Sequence, residues 1–198
     1  MKPLILGLGN LERGDDAAGV LVARKLSALG IPAREFQGDG LALLDELAGA
    51  GDAILIDAVL TGAPPGSVHV WEGDRAAQAA LSGRSCSSHA FGAAEALRLG
   101  RILDRLPARL IVVGIEAESF QPGSGTTATV RRGVADATRL VRRLSAEFVG
   151  GLSALPARSP SLRGARPWRD EQRKSTKLAL PAAEAKKGVE TASAEKDA

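Results

Sequence analysis

The chain has 198 residues, 44% hydrophobic and 25% charged, with 3% aromatic, no Tyr and a single Cys. That is enough apolar material for one sizeable core. It is too little aromatic surface for a platform that stacks bases or sugars, and one thiol cannot form an internal disulfide, which fits a reducing cytoplasm. The net charge of +3 is unevenly spread: residues 1–150 carry 16 Lys and Arg against 17 Asp and Glu, whereas residues 151–198 carry 10 against 6. The folded part is therefore net −1, and the chain is not expected to bind nucleic acid.

The first residues lack the apolar run and small-residue cleavage site of a signal peptide. No stretch approaches the roughly 18 apolar residues of a membrane span, so no membrane partner is expected. Residues 3–8 are apolar on both faces and predict a central parallel strand, closed by a tight turn at Gly7, Gly9 and Asn10. Residues 15–29 place Ala18, Val20, Leu21, Val22, Leu26 and Leu29 at near-helical spacing, with Gly30 as the stop. They predict a helix whose first turn carries Asp15 and Asp16, facing unpaired N–H groups and the positive dipole end. A weak strand follows at Ala33–Gln37, then a turn at 38–40 and a short helix at Leu41–Leu47 closed by Gly49 and Gly51. Residues 52–60 read as a buried strand with Asp57 towards its end, 61–66 as a turn, and 67–71 as a short alternating edge strand.

Residues 74–81 suggest a small helix and 83–88 a polar loop; His89 then opens a helix reaching Leu103. Arg109–Ile115 is the last strong strand, 118–129 a loop rich in Gly, Ser, Thr and Pro, and Val130–Phe148 an amphipathic helix. After Gly150 the periodicity fades and Pro, Arg, Ser and Lys dominate, so 151–198 is expected to be a disordered basic tail. Strands alternating with helices predict a single three-layer α/β domain over 1–150 with a mixed, mainly parallel sheet, the 67–71 strand being its antiparallel member.

In such a sheet the ends of parallel strands and the starts of the following helices share one rim, where open α/β sheets bind ligands. Asp16, Asp57 and His89 all fall there. Alone, each has a plainer use: a helix cap, a turn former, a surface histidine. Together, two carboxylates and an imidazole suit a divalent metal with open coordination positions. They equally suit an acid, a base and an orienting group. Cys86, three residues before His89, reads as an inert thiol in a serine-rich loop, His69 as a solvent-facing residue of the edge strand, and Glu116 and Glu118 as structural or rim polar groups. Gly7-x-Gly9 lacks the third Gly and the spaced acidic residue of a dinucleotide fold.

The run Gly7-x-Gly9-Asn10-x-x-Arg13-Gly14-Asp15-Asp16 resembles the signature of the nickel–iron hydrogenase maturation endopeptidases. Three further stretches are similar to that family's motifs in the same order. They are Ile56-Asp57-Ala58-Val59 with Pro65-Gly66 downstream, His89 with Phe91-Gly92 and Leu97, and Val113-Gly114-Ile115-Glu116 with the Gly-rich loop and the helix at Val130. The resemblance spans about residues 3–148. It implies a protease that removes the C-terminal extension of a hydrogenase large-subunit precursor after nickel insertion, with Asp16, Asp57 and His89 binding the nickel that the precursor carries. A monomer acting in the cytoplasm is expected. Position 17 is Ala where the family commonly has Gly, with Gly19 as a compensating source of flexibility, and Asp39-Gly40-Leu41 stands where a Gly-Thr pair is often found.

Two alternatives remain from the residues. A non-cleaving chaperone of the metallated precursor would share the same site, because no conventional protease nucleophile is visible. Peptidyl-tRNA hydrolases also open with a strand and Gly-Leu-Gly-Asn, but they continue with Pro and an early His. Here Leu11 follows Asn10, the first His is His69, and residues 1–150 are not basic.

Overall fold

A computed structural model describes residues 2–72 and 92–150. Expectations for the helix at 74–81, the loop at 83–88, Cys86, His89 and the tail at 151–198 lie outside the described residues. Five strands alternate with helices: β1 Leu4–Leu8, α1 Ala18–Ala28, β2 Arg34–Phe36, α2 Gly40–Ala48, β3 Asp52–Val59, β4 Val68–Glu72, α3 Ala93–Ile102, β5 Arg109–Glu116 and α4 Ala128–Gly150. One turn of 3-10 helix, Gly14–Ala17, precedes α1.

The strand order is β2-β1-β3-β5-β4. β2, β1, β3 and β5 are parallel, and β4 runs antiparallel to β5 at the edge. The expected mixed, mainly parallel sheet is therefore present, with the antiparallel member where the alternating pattern put it. Strands β3 and β5 are nearly all apolar because both their faces are covered. On one face Ile5, Ile54, Ile56, Ile111, Val113 and Ile115 pack with Val22 and Leu26 of α1 and Val134, Val141 and Leu144 of α4. On the other, Leu6, Leu55, Leu110 and Val112 pack with Leu43 and Leu47 of α2 and Leu97 of α3. These two apolar layers, with the sheet between them, give the three-layer α/β domain. Cutting one of their buried Leu or Ile side chains to Ala costs about 2–5 kcal/mol.

Helix starts differ from the sequence expectation, each for a local reason. The helix expected from His89 begins at Ala93: Gly92 is extended, and its N–H donates to Glu95 Oε2 at 3.2 Å, which makes Gly92 the cap. Helix α2 begins at Gly40 because Asp39 Oδ1 accepts from Ala42 N at 2.9 Å. That explains Asp39-Gly40-Leu41 as a cap and first turn. Asp15 and Asp16 lie in the 3-10 turn rather than in the first turn of α1. Among the described residues no helix is long and apolar enough to cross a membrane.

Candidate functional site

The site is assembled where β1 and β3 end. The chain leaves β1 through Gly9, whose φ of 126° is open to glycine and strained for other residues. A Cβ at Gly9 would lie 1.8 Å from the carbonyl oxygen of Asp16, so the 3-10 turn sits directly against the end of the strand. Asn10 Oδ1 accepts from Glu12 N at 2.8 Å, and Arg13 N donates to Asn10 O at 3.2 Å, which folds the intervening loop. Helix α1 then packs closely over the ends of β1 and β3. A Cβ at Gly19 would lie 2.2 Å from Ile56 O and 2.4 Å from Leu8 O. Gly19 thus serves close packing rather than flexibility, and the neighbouring Ala17 is buried with its methyl accommodated.

This packing brings Asp16 of the turn towards Asp57 of β3. Asp16 is 7% exposed. Burial lifts its pKa above the ordinary carboxylate range, against the lowering effects of the Arg13 charge and a hydrogen bond from the Asn10 backbone. Asp57 keeps some accessible surface. Even so, burial of its carboxyl and, second, the negative charge of Asp16 push its pKa up from 3.8 to about 7. The N–H of Ala58, donating to Asp57 Oδ1 at 2.8 Å, works in the opposite direction. Two desolvated carboxylates that disfavour each other's ionisation titrate as a pair. Such a pair gains from a shared proton or a cation.

Of the three side chains expected to converge, Asp16 and Asp57 therefore lie close enough to interact electrostatically; the third, His89, lies outside the described residues. Among the described residues no group of three His, Cys, Asp or Glu side chains is arranged to hold a metal ion.

Two buried carboxylates that the sequence left in minor roles hold the rim's loops. Asp15 is fully buried, and its carboxylate accepts from Glu118 N, Ser119 N, Thr127 N and Thr127 Oγ1 at 2.7–3.2 Å. Glu116, 1% exposed, accepts from Thr61 N, Thr61 Oγ1 and Gly62 N at 2.7–2.9 Å, which ties down the turn leaving β3. The readable signal for Glu116 was an acid closing an otherwise apolar strand. His69, expected to face solvent, is part-buried, with its side chain 23% exposed. It is aligned with Gly114, which is also the partner of Asp57, so His69 and Asp57 flank that glycine on one face of the sheet. The His69 ring stacks on Trp71 with centroids 5.4 Å apart, and Nε2 comes within 3.4 Å of Glu116 Oε2 without hydrogen-bond geometry. Strand β4 alternates as expected, but the face opposite Val68 and Val70 is partly covered: the Trp71 ring lies over Gly114.

Comparison with known proteins gives a consistent result. The family model described as hydrogenase maturation protease (HycI) matches residues 38–143. The Hydrogenase 2 maturation protease of Escherichia coli (strain K12) is 29% identical over 162 residues, covering 79% of this chain and 96% of that protein. Protein FrxA of Pyrococcus furiosus is 32% identical over 130 residues, covering 65% of this chain and 93% of that protein. The structure of the NiFe hydrogenase maturation protease HybD from Thermococcus kodakarensis superposes with a TM-score of 0.60 at 29% identity, covering 73% of this chain and 99% of that one.

Proposed function

This chain belongs to the hydrogenase maturation protease family, and from that premise we propose that it removes the C-terminal extension of a nickel–iron hydrogenase large-subunit precursor once nickel is in place. The observation that supports this reading is the pair Asp16 and Asp57: two carboxylates buried near one another at the strand-end rim, one with its pKa pushed up to about 7. Such a pair is unfavourable in an empty site and is relieved by a divalent cation. Nickel arrives with the substrate, held by the precursor. Asp16 and Asp57 bind it through carboxylate oxygens, and His89 supplies the third ligand.

Binding the cargo metal fixes the precursor on the rim and so orients the scissile segment. The metal polarises the reacting groups. Water adds to the peptide carbonyl, the C–N bond breaks, and the products are the mature large subunit and a free C-terminal peptide. The same reading has the chain act as a monomer in the cytoplasm, on protein and not on nucleic acid.

The test is the mass of a large-subunit precursor incubated with this protein, once loaded with nickel and once nickel-free. The expected result is loss of a C-terminal peptide from the loaded form alone. Binding with no change in mass, or equal cleavage of both forms, would contradict the reading.

A further inference from the structure

Asp15 and Asp16 are adjacent and have opposite surroundings. Asp16 faces Asp57. Asp15 is fully buried and turns its carboxylate onto the loop between β5 and α4. Its Oδ2 accepts from Glu118 N and Ser119 N, both at 2.9 Å, and from Thr127 Oγ1 at 3.2 Å. Its Oδ1 accepts from Thr127 N at 2.7 Å. Backbone bonds reinforce the junction: Asp15 N to Ser119 O at 2.9 Å, Gly14 N to Ser124 O at 3.1 Å and Gly123 N to Glu12 O at 2.8 Å. Thr126 Oγ1 also donates to Gly14 O at 3.3 Å. Residues 12–15 are thus gripped by a loop more than a hundred positions downstream.

A single 3-10 turn has little stability of its own, and no side chain caps this one. The backbone direction at Asp16 is therefore set from outside the turn, and four of these eight hydrogen bonds pass through the neighbouring carboxylate. We propose that Asp15 is a positioning residue for the cleavage reaction. By drawing residues 118–127 around the 3-10 turn, it fixes the direction in which Asp16 presents its carboxylate to the substrate. This rests on the role given to Asp16 above. The apolar layers on the two sheet faces do not include the Asp15 carboxylate, so loosening its bonds disturbs the rim before it disturbs the core.

The experiment measures cleavage of nickel-loaded precursor against precursor concentration for wild type, Asp15→Asn, Thr127→Val and Thr127→Ser, with thermal unfolding of each. Thr127→Val keeps the N–H bond to Asp15 and removes the hydroxyl one; it also removes the hydroxyl that accepts from Val130 N at 3.4 Å. Thr127→Ser keeps all three. Expected are a kcat roughly tenfold lower for folded Thr127→Val, with KM within a factor of about two, and about a hundredfold lower for Asp15→Asn. Thr127→Ser should restore the wild-type rate. If Asp15→Asn fails to fold, the Thr127 pair decides alone. A folded Thr127→Val that cuts at the wild-type rate, or one that raises KM alone, overturns the positioning role while leaving the proposed function intact. A wild type that leaves the loaded precursor whole removes both.

Discussion

Asp57 is where the tension between stability and function is greatest. Its carboxyl is raised from 3.8 to about 7 in the folded protein, by burial first and by the charge of Asp16 second. A raised pKa means that the folded state holds the proton more tightly than the unfolded chain. The resulting stabilisation is fully present below about pH 4 and is lost as pH rises to about 7, after which it stays lost. At pH 8 the folded protein carries an ionised Asp57 at a penalty of up to about 4 kcal/mol. Asp57→Asn keeps an oxygen that can accept from Ala58 N and has no charge to desolvate. The variant should therefore unfold at a higher temperature than wild type at pH 8, with the difference shrinking as pH falls and vanishing below about pH 4. Equal midpoints at pH 8 would show that the carboxyl is not held in the surroundings described. Asp16 and Asp57 were legible as candidates because one stands between the first strand and its helix and the other near the end of an apolar strand, both at a predictable edge of the sheet. The role of Asp15 was not legible: its partners Glu118, Ser119 and Thr127 are remote in the chain, and nothing in their spacing announces which carboxylate they serve.

At the scale of elements, close approach decides the geometry. Helix α1 reaches the strand ends only because Gly19 has no side chain. A methyl there would meet the backbone oxygens of Ile56 and Leu8 at 2.2 and 2.4 Å, and backbone gives way less readily than a flexible side chain. Gly19→Ala should therefore destabilise the protein by ~3 kcal/mol or more. A denaturant midpoint unchanged from wild type would contradict that packing. Strands were the easiest elements to read, since buried parallel strands carry continuous apolar stretches, as 53–56 and 110–115 show. Helix starts were harder. The start of α3 is set by one side-chain bond from Glu95 to the Gly92 N–H, and apolar spacing carries no trace of it. The 3-10 turn at 14–17 was absorbed into α1 because a single turn lacks a periodicity of its own.

For the whole molecule, the polarity of the sheet does the collecting. Four parallel strands deliver their ends to one edge, so residues remote in sequence meet there without any long-range motif. The antiparallel β4 comes back along β5 and adds His69 beside Gly114 at that edge. Asp15 and Glu116 then secure the loops that frame it. Membership of the hydrogenase maturation protease family agrees with this plan. In the proposed function an unfavourable pair of carboxylates is kept for the cation it receives. The most direct test of that reading is the mass of nickel-loaded precursor after incubation at pH 8 with Asp57→Asn, beside wild type. The expected result is a precursor left intact by a variant that is more stable than the wild type; release of the C-terminal peptide at the wild-type rate would contradict the proposed function.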